Sequence, residues 1–124
     1  MPKYSLHHVH HETRDVTAAV AFYQKVFGAT AAEPYERAGA TWVHVTLGDI
    51  QITVTNRPAG DMQLGRYQGF DHIALATDDF DATLESIRKH GATIWTGPLT
   101  LDNGQRLVFV SGPDHAKIEV LEMS

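Results

Sequence analysis

The sequence contains no cysteine, no long hydrophobic run and no excess of basic residues. Without cysteine the chain has no disulfides, thiolate metal ligands or cysteine nucleophile, which fits a reducing cytoplasm. No apolar run approaches the roughly 18 residues of a membrane span, and residues 1–5 lack the apolar region of a secretory signal. Fifteen acidic and ten basic residues give a net charge of −5, which argues against nucleic-acid binding. We expect a cytoplasmic protein that binds neither membranes nor nucleic acids.

The composition supports one folded domain. The chain has 124 residues, of which 43% are hydrophobic and 20% charged, so it can form a core. Histidine is the unusual component, because five of the eight histidines precede residue 45.

The sequence repeats itself with a period of about 60 residues. In each copy a histidine precedes an aspartate by seven residues, and a Gly-Ala-Thr segment follows a helical stretch. These features are His8, Asp15 and residues 28–30 in the first copy, and His72, Asp79 and residues 91–93 in the second. The chain therefore contains two copies of one module.

Each copy predicts the element order βαβββ. Asp15 and Asp79 are suitable N-caps, and Gly28 and Gly91 end the helices that follow them. Alternating hydrophobic residues and turn signals predict strands at 5–12, 41–47, 50–55, 70–77, 106–111 and 117–122. We expect one α+β domain spanning residues 1–124, with module one at about 1–57, a connector at about 58–69 and module two at about 70–124.

The hairpin of the first copy has two different faces, because side chains two residues apart in a strand share a face. One face is apolar and is expected to pack on the helices: Val43, Val45, Leu47, Ile50, Ile52 and Val54. The other is polar but uncharged, which suits the wall of a cavity: Trp42, His44, Thr46, Gln51, Thr53 and Thr55.

Three further side chains point away from the faces expected to pack on helices. They are His8, His72 and Glu119, and Glu119 lies in an apolar strand between Ile118 and Val120. An isolated carboxylate there is costly without a cation partner. Two histidines and a carboxylate from separate strands predict a site for Mn, Co, Ni, Zn or Fe(II) with open positions for substrate oxygens.

Three segments resemble the vicinal oxygen chelate superfamily, which includes glyoxalase I, epimerases, extradiol dioxygenases and bleomycin-binding proteins. They are His8 and Asp15 with residues 21–23 and 27–28, then residues 70–74, and then residues 112–114 with Ile118 and Glu119. The resemblance implies paired βαβββ modules in an open eight-stranded cup, a homodimer, and metal ligands at His8, His72 and Glu119. It does not name a reaction.

The fourth ligand position departs from the glyoxalase I pattern. That pattern has a carboxylate on the fourth strand, where this sequence has Thr53, a poor ligand. Gln51, two residues earlier on the same face, is an alternative oxygen donor, as in some epimerases that the chain resembles. The change leaves Glu119 as the one carboxylate of the site.

Several residues near this site are candidates for proton transfer and substrate binding. A base is needed to abstract a proton next to a carbonyl, and His44 and His10 are the candidates besides Glu119. Trp42 is either a stacking surface for a planar substrate or a core residue. We expect Gln51 and Thr53 to line the substrate cavity, and Arg106 to meet an anionic substrate or solvent.

Three functions are open at this point. The first is a metal-dependent isomerase or lyase that stabilises an enediolate or enolate of a small substrate with adjacent oxygens. The second is an extradiol-type Fe(II) dioxygenase, for which two histidines and one glutamate are the expected ligands. The third is a drug-binding protein without catalysis, which does not need the three ligands. We favour the first.

Overall fold

The computed structural model describes residues 1, 3, 5–57 and 69–123, so most of the predicted connector lies outside the described residues. The chain divides into two compact units, Met1–Asp61 and Met62–Ser124. The organisation as one domain stays a prediction.

The first unit contains one helix and a mixed sheet. In the sheet β1, β5, β4 and β2 lie side by side, and β3 also pairs with β4. β1 is parallel to β5, whereas the other pairs are antiparallel. The elements are β1 (Val9–Glu12), α1 (Val16–Phe27), β2 (Thr30–Ala31), β3 (Tyr35–Arg37), β4 (Ala40–Leu47) and β5 (Ile50–Thr55).

The second unit repeats this plan with four strands. The order in the sheet is β6, β9, β8 and β7, and β6 is parallel to β9. A 3₁₀ turn, Pro113–His115, connects β8 to β9. The elements are β6 (Ile73–Thr77), α2 (Phe80–Lys89), β7 (Ile94–Thr100), β8 (Arg106–Ser111) and β9 (Lys117–Glu122).

The two helices begin alike, as the repeat predicts, and a glycine lies one residue after the end of α1 and two residues after the end of α2. The carboxylates of Asp15 and Asp79 each accept an N–H bond of 3.0 Å from the residue three positions later. After the helices, Gly28 and Gly91 have φ of 70° and 69°, a left-handed conformation that glycine adopts without strain.

The core follows the predicted alternation. Tyr23 of α1 is buried, as are Val45 and Ile52 of the facing hairpin, and Ile118 and Val120 are buried in the second unit. The polar face of the first hairpin is also largely out of solvent, because Thr53 is 4% and Trp42 8% exposed. Neither α-helix in the described part of the chain has the length and apolar character needed to cross a bilayer.

The strands differ from the prediction at two points. β1 and β6 are shorter than predicted because their ladders begin at the pairs Val9–Ile52 and Ile73–Ile118. The described residues also contain nine strands rather than eight. The additional strand arises because β2 and β3, which both pair with β4, together take the place that the single strand β7 has beside β8.

Candidate functional site

The second unit brings two of the predicted metal ligands into contact. His72 immediately precedes β6, and Glu119 lies in β9, the neighbouring strand. His72 Nε2 is 2.9 Å from Glu119 Oε1, and His72 Nδ1 is 2.8 Å from Asp71 Oδ2. Each ring nitrogen of His72 therefore faces a carboxylate.

Lys117 and Phe109 hold this arrangement in place. Lys117 Nζ forms an ion pair of 2.9 Å with Asp71 Oδ2 and lies 4.9 Å from the centre of the Phe109 ring. The His72 ring meets the Phe109 ring edge-on, with 5.3 Å between the ring centres. Glu119 pairs with Phe109 in the β8–β9 ladder. The imidazole is thus oriented by both packing and charge.

The His72–Glu119 contact fits a pair of metal ligands. When Nδ1–H is donated to Asp71, the Nε2 lone pair faces the Glu119 oxygen. Only a proton or a cation between the two atoms makes that contact favourable. Two ligand atoms about 2.1 Å from one ion at right angles lie about 3 Å apart, close to the observed separation. The Asp71 carboxylate behind His72 is the usual partner of a metal-bound imidazole.

The third predicted ligand, His8, lies in the first unit. It is exposed and immediately precedes β1, as His72 precedes β6, and its Nδ1 lies 2.8 Å from His7 Nδ1. No group of three or more histidine, aspartate or glutamate side chains arranged to hold a metal is found among residues 1, 3, 5–57 and 69–123. The three-ligand site therefore remains a proposal.

Thr53 takes the strand position of a ligand in the first unit. It pairs with His10 in the β1–β5 ladder, as Glu119 pairs with Ala74 in the β6–β9 ladder. The buried Thr53 hydroxyl oxygen lies 3.3 Å from His44 Nδ1. Its contact in the first unit is with a histidine side chain, and the expectation that Thr53 is not a metal ligand stays a prediction.

His44 is the centre of a hydrogen-bond network on the polar face of the hairpin. Its Nε2 lies 2.9 Å from the Tyr35 hydroxyl oxygen, and its Nδ1 lies 3.0 Å from Gln51 Nε2. Thr53 reaches the same Nδ1. Both ring nitrogens of His44 are therefore engaged within the first unit, and Gln51 acts here as a hydrogen-bond donor to His44.

His10 forms a second network on the same strand face. Its Nε2 lies 2.9 Å from Glu12 Oε1, and Arg57 Nη2 lies 2.7 Å from the same oxygen. The His10 ring meets the Trp42 ring edge-on at 5.7 Å between centres. Glu12 thus places its negative charge beside His10 and Arg57.

Trp42, for which the sequence left open a core position or a substrate-stacking surface, packs against β3. Its ring stacks on Tyr35 with an interplanar angle of 11°, and the Arg37 guanidinium carbon lies 5.0 Å from the ring centre. Its Nε1–H donates to the Arg37 carbonyl at 2.9 Å. β3 therefore covers Trp42, which is nearly buried.

Arg106 is occupied by structural contacts. Its guanidinium donates to Glu122 and to Asp81, with shortest distances of 2.8 Å to each, and lies 4.8 Å from the Phe80 ring centre. The hydrogen bonds that Arg106 donates to Glu122, and then the one it donates to Asp81, raise the pKa of Arg106, and the bonds from Arg106 lower the pKa of Glu122. These contacts hold the guanidinium against Glu122 and Asp81, and the substrate-binding role of Arg106 stays a prediction.

Two residues of these networks, Asp71 and Tyr35, were missed by sequence reasoning. Asp71 directly precedes the second-copy histidine, and a carboxylate beside a candidate ligand is a usable signal. Tyr35 had no such signal, because its short strand has no periodic pattern.

Comparisons with known proteins agree with these observations. The family model of the Glyoxalase/Bleomycin resistance protein/Dioxygenase superfamily matches residues 5–120. A lactoylglutathione lyase of Haemophilus influenzae is 26% identical over 114 residues, which are 87% of this chain and 84% of that protein. A probable lactoylglutathione lyase of Synechocystis is 37% identical over 57 residues, but this match spans only 44% of that protein and 45% of this chain.

A solved structure shows the same fold. The glyoxylase/bleomycin resistance protein/dioxygenase domain from Frankia sp. EAN1pec superposes with a TM-score of 0.83 and 18% identity, covering 99% of this chain and 100% of that chain. This similarity confirms the α+β, glyoxalase-like fold class predicted from the sequence.

Proposed function

The chain belongs to the Glyoxalase/Bleomycin resistance protein/Dioxygenase superfamily, and on that premise we propose that it is a divalent-metal-dependent lyase or isomerase of the glyoxalase type. The observation that carries this proposal is the contact of His72 with Glu119, in which a nitrogen and a carboxylate oxygen meet 2.9 Å apart while Asp71 holds the other nitrogen.

The proposed ligands are His8, His72 and Glu119. His72 and Glu119 provide a neutral nitrogen and an anionic oxygen, which suit Mn, Co, Ni, Zn and Fe(II). His8 is the counterpart of His72 in the first module, and it comes from the same chain or from the partner chain of a homodimer. When bound, the cation would supply positive charge to stabilise negative charge that develops on two neighbouring substrate oxygens.

The protein side chains supply binding and proton transfer. Glu119 is the one carboxylate among the proposed ligands, and it is therefore also a candidate to accept a proton from the substrate. His10 is a candidate base because the Glu12 carboxylate beside its Nε2 would stabilise the positive charge that the ring gains with a proton from the substrate. Gln51 and Thr53 act through His44, to which both are hydrogen-bonded.

The relatives suggest a substrate class. Two of them are named as lactoylglutathione lyases, one of these as probable. Lysis of a lactoyl thioester of glutathione gives a thiol and a three-carbon 2-oxoaldehyde. We therefore propose the thiol adduct of a small 2-oxoaldehyde as the substrate, because such an adduct has the two adjacent oxygens that the site requires.

The absence of a second carboxylate, at the fourth ligand position, keeps one alternative open. With Thr53 at the position that corresponds to Glu119, the proposed ligands are two histidines and one carboxylate. This set is also the one used by non-haem Fe(II) oxygenases. The second candidate function is therefore an extradiol-type dioxygenase.

A metal and substrate screen tests the proposal. The protein is loaded in turn with Mn, Co, Ni, Zn and, without oxygen, Fe(II), and is given the adduct of methylglyoxal and glutathione. We expect thioester formation that needs a metal and consumes no oxygen. Turnover of a catechol only with Fe(II) and oxygen would establish the dioxygenase instead. Binding of a drug without any metal and without turnover would contradict both.

We also propose that the protein is a homodimer. The sheet of each unit ends in edge strands, which a second copy would cover. Sedimentation at micromolar concentration is expected to show a dimer with an interface of at least ~1,200 Å². A monomer at that concentration would contradict this proposal.

A further inference from the structure

We propose that Tyr35, in β3, is the residue of the first unit that donates a hydrogen bond to a substrate oxygen, and that His44 is its positioning residue. This inference rests on the proposed function, because it assigns a residue to the same reaction. It starts from the network of His44 with Tyr35 and Gln51.

The network determines which nitrogen of His44 carries the proton. Gln51 Nε2 is an amide nitrogen, which can only donate, so His44 Nδ1 must accept. The Thr53 hydroxyl at 3.3 Å is a second donor to the same atom. A neutral imidazole that accepts at Nδ1 carries its proton at Nε2. His44 therefore donates Nε2–H to the Tyr35 oxygen, 2.9 Å away.

This tautomer sets the direction of the Tyr35 O–H bond. A phenol oxygen has one proton, and the side of Tyr35 that faces His44 accepts a hydrogen bond. The O–H bond therefore points away from His44. Donation from His44 also polarises the hydroxyl and makes it a better donor, because linked hydrogen bonds strengthen each other.

The Tyr35 ring is held in a fixed position. It stacks on Trp42, whose own Nε1–H is tied to the Arg37 carbonyl, and Tyr35 pairs with Trp42 in the β3–β4 ladder. The Tyr35 ring is also 5.6 Å from the His44 ring, between centres. A donor held in this way needs little reorganisation when charge develops on a substrate oxygen.

The Tyr35 hydroxyl lies on a strand face of the first unit. The corresponding face of the second unit carries the candidate ligand Glu119. In the first unit His44 pairs with Thr53, and in the second unit Phe109 pairs with Glu119. Thr53 and Glu119 have the same strand position. Phe109, which cannot form hydrogen bonds, thus takes the place of His44. In the second unit the end of β7 takes the place of β3, because Leu99 pairs with Leu107 as Tyr35 pairs with Trp42, and a leucine cannot donate a hydrogen bond. The donor is therefore specific to the first unit.

The tautomer is measured by NMR without any activity assay. Long-range ¹H–¹⁵N spectra of the imidazole side chains, with His44→Phe to assign the signals, are expected to show the proton of His44 at Nε2. In Gln51→Glu the carboxylate can only accept, so the proton is expected to move to Nδ1. A proton at Nδ1 in the unaltered protein would overturn the inference.

The role in the reaction is measured with Tyr35→Phe. We expect kcat for the adduct of methylglyoxal and glutathione to fall by about 10²–10³-fold, as for other preorganised donors, with KM nearly unchanged. Gln51→Glu keeps the Tyr35 hydroxyl but is expected to lower kcat as well. In this variant the Tyr35 O–H would donate to His44 and would no longer be directed at the substrate. Tyr23→Phe is the matched control, since it removes another hydroxyl–histidine contact, the 2.9 Å contact with His11.

A binding measurement separates this inference from the proposed function. Acetohydroxamate has two neighbouring oxygens and serves as the probe for calorimetry with the zinc-loaded protein. If the unaltered protein binds it but turns over no adduct, the proposed reaction fails while Tyr35 is still tested. Tyr35→Phe is expected to weaken binding about tenfold, and Tyr23→Phe to leave it unchanged. Equal affinity of Tyr35→Phe and the unaltered protein, or no binding by the unaltered protein, would overturn the inference.

Discussion

Thr53 in the first unit has the strand position that Glu119 has in the second. The ladders show this directly, because the pairs Val9–Ile52 and Ile73–Ile118 stand at corresponding places just before the two residues. The duplicated face therefore carries a carboxylate in one unit and a hydroxyl bonded to a histidine in the other.

Replacing Glu119 tests the metal site most directly. Glu119→Gln removes an anionic ligand, so both metal affinity and turnover are expected to be lost. Calorimetry with Zn and Ni measures the affinity. Glu85→Gln, at an exposed position of α2, is the matched control and should behave like the unaltered protein. Retained affinity in Glu119→Gln would remove Glu119 from the ligand set.

Asp71 is expected to tune the metal site from behind His72. Asp71→Asn keeps a hydrogen-bond acceptor but removes its charge, so metal affinity should fall by about 10–100-fold. Because Asp71 also binds Lys117, the variant Lys117→Met provides the control: it breaks that ion pair and leaves the contact of Asp71 with His72. A greater loss of affinity in Lys117→Met than in Asp71→Asn would show that the ion pair matters more than the orientation of His72.

The Arg106–Glu122 pair makes stability depend on pH in the acid range. Because Arg106 lowers the pKa of Glu122 in the folded protein, the pair stabilises the fold above the unfolded pKa of the carboxyl. This contribution is lost as the pH falls through the lower, folded pKa. Glu122→Gln should therefore be less stable than the unaltered protein at pH 7, and the difference should shrink in acid. Urea unfolding at pH 7 and pH 3 measures it, and a difference independent of pH would contradict the prediction.

The two N-caps should make similar contributions to stability. Asp15→Ala and Asp79→Ala each remove one hydrogen bond of the same length, so each is expected to lower the free energy of unfolding by ~1 kcal/mol. Asp15→Asn and Asp79→Asn keep a good capping side chain and should stay close to the unaltered protein. Chemical denaturation checks the four variants. An alanine variant as stable as its asparagine counterpart would show that the cap is unimportant there.

The features that are local in sequence were predictable. The aspartate caps, the terminal glycines and the alternation in residues 50–55 each act within a few positions, so their residue types predict the helices and the hairpin faces. The position of Thr53 opposite His44 also followed from the hairpin register. His72 and Glu119 were expected on one surface, because both point away from the strand faces that pack on the helices.

The features that depend on distant partners were not predictable. Arg106 was expected to meet solvent or substrate, but its partners Asp81 and Glu122 come from α2 and β9. Tyr35 lies in a strand of three residues, which is too short to show a period. Its importance depends on His44, nine positions away, and on the turn that brings β3 back onto β4.

The parallel pairing of the first and last strands of each unit also bears on how the chain is synthesised. Val9 meets Ile52, and Ile73 meets Ile118, each pair more than forty residues apart. During translation β1 therefore has no strand partner from its own sheet until β5 has left the ribosome, and β6 waits in the same way for β9. Such distant closures slow folding and leave strand edges open to other chains. Each nascent unit is thus most exposed to aggregation just before its last strand emerges.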